Sequence, residues 1–562
     1  MEWVQVYDPL GWPLISALVA ALPIVLLLGL LVCGWSAPRA AGVGLGTALA
    51  VAVWFFGMPA SAALAAAGYG ACFGLMPIGW IVVAAVFLFH LTVRAGQFEV
   101  LKRSVSAISP DRRMQALLIA FSFGAFLEGA AGFGTPVAIS AALMIGLGFS
   151  PLYAAGLALL ANTAPVAFGA LGTPIITLAK VSGIDEMALS QMAGRQLPLF
   201  SLLIPAWIVA LMSGWKGVKG CWPAILVCGG SFATVQFVTA NFHGPTLVDV
   251  LGGVGSLVVT AAFLRVWQPK QLWRFPDEPA RQPESNLPPL RAREVAYAWM
   301  PWVFLSVMVF LWGWPSWKTT LEGGKPERPN CLHGISKLSF DVPWLDHRIF
   351  RTAPVVPVPS GSDRAAEPEV ARYDLSWLAT TGTGIFLAAV LSAFWLRIGW
   401  WAFWQEFART LFRVRWALLT IACMLALAFA TRYSGADATL GIAFTKTGRF
   451  YPFFAPLLGW LGVALTGSDT SANALFGSLQ RITAEQLGLN PILIVASNST
   501  GGVMGKMIDA QSIVVAAVAT GQTGSEGQIL RFVFGHSLVL ACMVGLLTWA
   551  QAYLLPWMIP AG

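Results

Sequence analysis

Three ionisable residues, Glu128, Asp469 and Lys506, lie between long apolar runs of this sequence. An ionised side chain is costly at membrane depth, so residues of this kind usually pair with one another or mark the route of a substrate or an ion. A protonated carboxyl group avoids most of that cost because it carries no charge. Glu128 and Asp469 are therefore candidate proton carriers, alone or as a pair. The alternative for each is a structural acid that stays hydrogen-bonded.

Lys506 is a candidate for binding the carboxylate of a small substrate. Its alternative role is a salt bridge within the protein, to Asp469 or to Asp509. Residues three apart on a helix lie on the same face, so a pair with Asp509 is within reach.

Four polar interruptions of the apolar runs contain or accompany these residues, at 127–136, 161–174, 466–477 and 496–506. Glycine and proline are poor helix residues, and a freed backbone group is costly in hydrocarbon unless protein or water satisfies it. Small residues also promote close packing of membrane helices, but four interruptions that carry ionisable residues favour a transport site. We predict that the first and third are tips of re-entrant hairpins. The second and fourth are predicted to be unwound points in spanning helices.

The amide, hydroxyl and backbone groups of these interruptions suit hydrogen bonds to a small oxyacid, because the ends of broken helices present N–H groups to anions. The same groups suit the capping of helix ends, and one residue can do both. The candidate substrate-binding residues are Gly129, Gly132, Thr135, Asn162, Thr163, Thr173, Thr470, Ser471, Asn473, Asn498, Ser499, Thr500, Lys506 and Gln511.

The composition indicates an all-α polytopic membrane protein. Of the 562 residues, 57% are hydrophobic and 11% are charged, whereas a soluble domain has roughly 25% charged residues. Apolar runs of spanning length recur, for example at 13–35, 75–93 and 532–557. The net charge of +8 is explained by basic residues at helix ends, which act as orientation signals. No nucleic-acid partner is therefore expected.

Motifs of enzymes and cofactor sites are missing from the sequence. The string 500-TGGVMGKM-507 has Thr500 and Met507 where a phosphate-binding loop needs Gly and Ser or Thr. The sequence has no His/Cys cluster at metal-ligand spacing and no Ser-His-Asp signature. We expect no enzymatic activity, no cofactor and no metal.

The basic residues of short loops predict the orientation of the chain. Loop 94–114 and loop 267–294 carry Lys and Arg and are placed in the cytoplasm, which leaves 315–375 outside. Segment 397–416, rich in Trp and Arg, suits an interfacial helix on the inside. This threading gives about twelve crossings with both termini outside.

The polar strings also recur as an internal repeat. Gly129 and Pro151 are 22 residues apart, and Gly467 and Pro491 are 24 apart. The two copies enter the membrane from opposite sides in the threading above, as inverted repeats of secondary transporters do. The predicted division is a membrane half at 1–266 with a hairpin and broken helix at about 114–180, a loop at 267–294, a helix at 295–314, an outer loop at 315–375, and a second membrane half at 376–562 with its hairpin and broken helix at about 452–520.

The interruptions closely resemble segments of the L-lactate permease family. The similar strings are 124-GAFLEGAAGFGTPVAI-139, 162-NTAPVAFGALGTPI-175, 466-TGSDTSANALFGSLQ-480 and 498-NSTGGVMGKMIDAQSIVVA-516. The resemblance extends to 7-YDPLG-11 and 551-QAYLLPWMIP-560 and leaves out the loop at 315–375. One departure is Asp509-Ala510, where the family usually has Ser-Pro. The extra acid is expected to bind Lys506 or to alter proton coupling.

The resemblance implies import of L-lactate, and often of D-lactate or glycolate, with protons across a bacterial inner membrane. It also implies kinship with transporters that have inverted repeats and often move like an elevator. The alternative is a sodium-coupled carboxylate carrier or a cation/proton antiporter on the same scaffold. The expected partners are a small 2-hydroxymonocarboxylate, protons and the lipid bilayer. The oligomeric state is open, with a homodimer among the options.

Overall fold

The chain folds into a mostly helical membrane protein. The computed structural model describes residues 2–33, 35–132, 134–275, 291–325, 328–356, 366–445 and 447–560. The helices before residue 276 are α1 (Pro13–Val32), α2 (Ala37–Ala50), α3 (Ala60–Phe73), α4 (Trp80–Arg94), α5 (Gln97–Ile108), α6 (Arg112–Ala116), α7 (Gly124–Ala131), α8 (Thr135–Leu147), α9 (Pro151–Ala161), α10 (Gly169–Ser182), α11 (Glu186–Phe242) and α12 (Val248–Val266). The later helices are α13 (Ala292–Gly313), α14 (Pro315–Leu321), α15 (Thr381–Trp395), α16 (Trp400–Ser434), α17 (Ala436–Thr445), α18 (Tyr451–Thr466), α19 (Asp469–Gln486), α20 (Pro491–Gly505), α21 (Ala510–Ala519) and α22 (Glu526–Tyr553).

Many of these helices are apolar enough to lie in a membrane. Within the described ranges, seven helices are long and apolar enough to cross it, and nine are if each of two bent pairs counts as one crossing. One bent pair is α9 with α10, which meet at 61°. The other is the two parts of α16, bent by 45°. The fold is therefore that of a polytopic helical membrane protein.

Helix α11 is a hairpin of two antiparallel helices. Gly214, with φ 65° and ψ −172°, interrupts the helical backbone midway along it. A Cβ atom added to Gly194 would meet Ala240, and one added to Gly229 would lie 3.1 Å from the carbonyl oxygen of Ser201. The two halves are thus close enough for their backbones to touch at glycines, as is common between membrane helices.

The segment predicted to be a polar outer loop has secondary structure of its own. Its strands are β2 (Gly324–Lys325), β3 (Arg328–Pro329), β4 (Leu338–Asp341), β5 (Ile349–Thr352), β6 (Ala366–Pro368) and β7 (Arg372–Leu375). Strand β4 pairs antiparallel with β7, β2 with β3, and β5 with β6. Near the N-terminus, β1 (Trp3–Val4) runs parallel to β5. The start of the chain therefore belongs to the same small sheet as this segment.

A buried ion-pair cluster ties this sheet to the membrane helices. Glu369 accepts hydrogen bonds from Arg351 at 2.5 Å and from Arg432, near the end of α16, at 2.8 Å. Burial by itself would raise the pKa of Glu369, but the two guanidinium groups outweigh that effect and hold the pKa below its usual value. The cluster therefore contributes stability at neutral pH, where Glu369 is ionised.

Segment 397–416, predicted to be an interfacial helix, contains the helical part Trp400–Trp416, which is bent by 45° from Leu418–Ser434. It forms the start of α16, which begins at Trp400 and continues to Ser434. Trp401 is 83% exposed and Phe412 66% exposed, so this part of α16 presents large apolar side chains outwards. The same helix then enters the packed interior, where Ile421 and Ala430 are fully buried.

Helices α18 and α20 pack with their backbones in direct contact. A Cβ atom at Gly459 would collide with the carbonyl oxygen of Asn498, and one at Gly501 would collide with that of Pro456. This contact holds the C-terminal parts of α18 and α20 close together. The third and fourth polar interruptions, 466–477 and 496–506, lie at these parts of the two helices.

We predict that Gly459→Ala destabilises the protein by about 1–3 kcal/mol, the usual range for overpacking. The measurement is thermal unfolding of the purified protein in detergent. The control is Gly535→Ala on α22, where an added Cβ would have no atom within 4 Å. Equal stability of the two variants would contradict the close contact of α18 with α20.

We also predict that Glu369→Gln lowers stability at pH 7 by about 3 kcal/mol, as expected for loss of one partner of a buried ion pair. Because the pKa of Glu369 is lowered in the folded state, its contribution is present above about pH 4.3, the ordinary value for glutamate. It is lost as the pH falls through the lower folded value. The thermal midpoints of wild type and variant should therefore converge at pH values below the folded-state pKa of Glu369. Glu367→Gln, at an exposed neighbour, should show no such convergence, and a constant gap for Glu369→Gln would refute this account.

Candidate functional site

Each of the four polar interruptions contains or ends at a break between helices. The fourth was predicted to be unwound, but its residues 496–505 are helical, and the break begins at Lys506. Helix α7 ends before Gly132, and α9 ends before Asn162. Helix α18 ends at Gly467, and α20 ends at Lys506. Each interruption therefore supplies helix ends in the interior, and the backbone groups at those ends are not all used within the helices.

The first break is made by glycines in conformations that other residues avoid. Gly132 has φ 62° and Gly134 has φ 82°, on either side of the turn between α7 and α8. Glu128 lies in the last turn of α7 and is 3% exposed. A Cβ at Gly132 would lie 3.1 Å from that of Ala170, so the first interruption touches the second.

The second break contains three consecutive left-handed residues. Ala170, Leu171 and Gly172 have φ of 45°, 56° and 79°. Such a conformation costs roughly 1–3 kcal/mol at a residue other than glycine and is found mainly at functional sites. Just before them, Gly169 lies against Glu128, because a Cβ at Gly169 would be 2.6 Å from Glu128 Oε1.

The third break places Asp469 at the start of α19. Gly467 is left-handed, with φ 71°, and Ser468 caps α19 by accepting from the backbone N–H of Ser471. Asp469 Oδ2 accepts from the hydroxyl of Ser499 at 2.5 Å and from the amide of Asn473 at 3.3 Å. Its other oxygen, Oδ1, has no partner among the described residues.

The fourth break is held by Lys506. Its ammonium group donates to the carbonyl oxygen of Gly467 at 2.6 Å and forms an ion pair with Asp509 at 3.0 Å. Asp509 also caps α21 through the backbone N–H groups of Gln511 and Ser512. Of the roles considered for Lys506, the salt bridge to Asp509 is thus the one that the structure contains.

These breaks surround one small cavity of about 30 Å³. Residues from both ends of the chain line it: Glu128, Gly132, Val166, Gly169, Ala170, Pro174, Gly467, Ser468, Asp469, Thr470 and Lys506. Five of these are predicted site residues. Of the other six, Ser468 alone has a hydrogen-bonding side chain. All six lie within the polar interruptions.

Several other predicted residues support the cavity from behind. Asn473 donates to the carbonyl oxygen of Pro174 at 3.2 Å, and Asn498 donates to Asn473 at 2.8 Å. Gln480 then donates to Asn498 at 3.0 Å. This chain of amides fixes α19 against α20 and against the second break.

The remaining predicted residues have local partners or lie off the cavity. Thr163 donates to the carbonyl oxygen of Leu160, and Thr173 to that of Ala170. Thr500 donates to Gln196 on α11, and Gln511 lines a neighbouring cavity with Asp509. Gly129 packs against α12, Ser471 takes part in the cap of α19, and the side chain of Thr135 lies outside the described part of the chain.

Asn162 is the exception among the amides. It is 2% exposed and faces Glu128. In the described part of the chain, neither of its polar side-chain atoms has a hydrogen-bond partner, and neither does Glu128 Oε2. Buried polar groups are usually hydrogen-bonded, so these atoms are available to a ligand or a proton.

One acid beside the site was missed by the sequence reasoning. Asp249 lies in the first turn of α12 and is 1% exposed, against Gly129 of α7. The available signal was its position at the head of the apolar run 248–264, since an acid within a membrane segment is a functional candidate by default.

A small cavity lined by ionisable side chains, inside a bundle of apolar helices, is the architecture of a membrane transport protein. The model of the L-lactate permease family matches residues 16–555. The chain belongs to this family. It is a multi-pass inner-membrane permease and not an enzyme.

The relatives match over nearly their whole length. The L-lactate permease of Salmonella typhimurium is 46% identical over 564 residues, covering 99% of this chain and all of the relative. The glycolate permease GlcA of Escherichia coli K12 is 46% identical over 570 residues, and the L-lactate permease of Bacillus subtilis is 46% identical over 575; both cover 100% of each chain. Among solved structures, MtrF of Neisseria gonorrhoeae covers 88% of this chain and 83% of its own, with 13% identity and a TM-score of 0.30. That similarity is too low to support any conclusion.

We predict that Gly169→Ala lowers the rate of L-lactate uptake about tenfold, which corresponds to about 1.4 kcal/mol. Gly169 has an extended backbone that alanine can adopt, but the added methyl group would displace the carboxyl group of Glu128. The assay is uptake of labelled lactate by cells that produce equal amounts of each variant. The control is Gly230→Ala, which meets no atom within 4 Å; equal uptake by the two variants would show that the position of Glu128 is unimportant.

Proposed function

We propose that the protein is a secondary active transporter that imports L-lactate, and D-lactate or glycolate, with protons across the inner membrane. The names of the relatives support the substrate class. The observation that carries the proposal is that Glu128 and Asp469 line one cavity, each with a carboxyl oxygen that has no partner in the described part of the chain.

Proton coupling follows from the charges around the cavity. Lactate and glycolate are anions, so an ionised Glu128 or Asp469 would repel them in a site from which water is largely excluded. A proton on either acid removes that repulsion and the cost of an uncompensated buried charge. Proton and anion would then bind together and carry less net charge across the membrane.

The carboxylate of the substrate is assigned to the helix starts around the cavity. Ser468, Asp469 and Thr470 open the 18-residue helix α19 there, and a helix start favours negative charge. Thr173 and Pro174 lie where α10 resumes a helical course after its left-handed residues. We assign the backbone N–H groups of these two starts, Pro174 excepted because proline has none, to the carboxylate of the substrate.

Lys506 takes part if it exchanges partners. In the structure its ammonium group is used by Gly467 and Asp509. A substrate carboxylate entering the cavity can replace Asp509, which retains its hydrogen bonds to the start of α21. Asn162, whose amide lacks a partner in the described ranges, is assigned to the substrate hydroxyl group. The other candidates, from Gly129 to Gln511, shape and support this site.

The finer architecture that we propose is two inverted repeats within about twelve crossings. Helices α7 and α8 would be one re-entrant hairpin, and α18 and α19 the other. Helices α9 with α10 and α20 with α21 would be the two broken spans. The packing supports this reading, since α10 packs on α19 and α8 packs on α21. The same relation, a broken span against the second arm of the other hairpin, occurs twice.

The test is uptake of labelled lactate into proteoliposomes with an imposed pH gradient. Wild-type protein should accumulate lactate when the outside is acidic, and Glu128→Gln should reduce this accumulation at least tenfold, because glutamine cannot carry the proton. Glu485→Gln, which replaces an exposed acid on α19, should behave like wild type.

Two outcomes would reject parts of the proposal. Uptake that ignores the pH gradient but requires sodium would replace proton coupling by sodium coupling. Full accumulation by Glu128→Gln, with loss in Asp469→Asn, would move the proton to Asp469. Competition by glycolate, D-lactate, pyruvate and succinate would define the substrate range in the same assay.

A further inference from the structure

Asp249 is a buried acid that the proposed mechanism has not used. It is 1% exposed, and neither carboxyl oxygen has a hydrogen-bond partner among the described residues. Acids in the first turn of a helix often bind free backbone N–H groups, but Asp249 does not. A role in stabilising the start of α12 therefore fails to explain it.

The packing of α7 on α12 fixes Asp249 beside Glu128. A Cβ at Gly129 would be 2.7 Å from the Cβ atom of Asp249 and 2.6 Å from the backbone nitrogen of Val250. One turn further along, a Cβ at Gly253 of α12 would collide with the backbone of Phe126. Each helix therefore contributes one glycine to a direct backbone contact. Glu128 is the ionisable neighbour whose charge is close enough to interact with Asp249.

Among the described residues, no basic side chain forms an ion pair or a hydrogen bond with Asp249. The segments packed on α12 are α5, α7, α10, α11 and residues 117–123. Their ionisable groups, with those of α12 and the turn before it, are Glu99, Lys102 and Arg103 on α5, Glu128 on α7, Lys180 on α10, Glu186, Arg195, Lys216, Lys219, Cys221 and Cys228 on α11, His243 in the turn, and Arg265 on α12.

Most of these groups lie far from Asp249 or have other partners. Helix α5 ends near the opposite end of α12, where Ser109 donates to Gln268. Arg195 donates to Asn241 and to the carbonyl oxygen of Met558. Lys180 and His243 are exposed. Glu128 is thus the charged group that Asp249 faces, and it has the same sign.

Two acids in this arrangement cannot both be ionised. A buried carboxylate without a partner is far less stable than the neutral acid, and a second carboxylate nearby disfavours ionisation further. The positive charge of Lys506 attracts the carboxylate of Glu128, but the ammonium group is already bound to Gly467 and Asp509.

We propose that Asp249 is a second proton-binding site, coupled to Glu128, so that the pair holds at least one proton in the conformation described. Asp249 lies on α12 and Glu128 on α7, so loss of both protons would place two like charges across a backbone contact and weaken it. Proton release from the pair would therefore loosen the helix that leads to the first break. That these protons are exchanged during transport rests on the proposed function, whereas proton binding itself does not.

The direct test is infrared difference spectroscopy of the purified protein in lipid nanodiscs during a pH titration. We expect Asp249→Asn to remove one carboxylic-acid band from the pH-dependent signal and to shift the midpoint of the band that remains. Asp185→Asn, at an exposed acid that caps α11, should leave the signal above about pH 5 unchanged, because exposed aspartates are generally ionised there and asparagine is an equally good cap. A pH-dependent carboxyl signal that is the same in Asp249→Asn and in wild type would overturn the proposal.

A second measurement keeps the test decisive if Asp249→Asn does not fold. In Glu128→Gln, Asp249 is intact, and coupling requires its band to titrate at a different midpoint from that in wild type. The coupling would be refuted if each carboxyl band kept its wild-type midpoint when the other residue was substituted.

The role of Asp249 in transport is tested by the reversal potential of lactate flux in proteoliposomes. This potential gives the number of protons moved with each lactate. We expect Asp249→Asn to move one proton fewer than wild type, and an unchanged number would overturn the role in transport. If wild type shows no proton-driven lactate flux while the infrared signal depends on Asp249, the proposed function fails and the proton-binding site stands.

Discussion

The ammonium group of Lys506, itself at the end of α20, joins the end of α18 to the start of α21. It takes up the carbonyl oxygen of Gly467 at the end of α18, and it neutralises Asp509, which caps the start of α21. A lysine at this depth must be paired, and here both of its partners are parts of broken helices. The tip between α18 and α19 and the break between α20 and α21 therefore depend on one cation and should shift together.

The two sides of the cavity solve the same problem with different chemistry. On the side of Lys506, charge and hydrogen bonds hold the broken backbone. On the side of Glu128, glycines and a run of left-handed residues, Ala170 and Leu171 among them, shape a turn with no ion pair in the described structure. Each acid has one oxygen without a partner among the described residues, but the other oxygen of Asp469 accepts from Ser499 and Asn473, so the two acids are not equivalent. We infer that Glu128 is the more sensitive of the two to a change in its surroundings.

The position of the breaks could be predicted from the sequence because glycine, proline and polar residues mark them locally. Glu128, Asp469 and Lys506 were placed together on that basis, and they line one cavity. The partner of Lys506 could not be decided, because Asp469 and Asp509 were both within reach. Asp249 was missed because its meaning depends on Gly129, which is distant in the chain. The pairing of β1 with β5 was missed for the same reason, since the two strands are far apart in the chain.

The packing of α10 on α19 and of α8 on α21 has a consequence for how the molecule can move. Helices α8 and α19 each pack against a helix from the other half of the chain, so we infer that the two halves do not move as separate units. A moving body would have to be assembled from both halves, with α13, α15 and the first part of α16 among the elements left to form a stationary frame. The boundary that slides during a transport cycle would then cut across the sequence twice, and it would not follow the loop that separates its two halves.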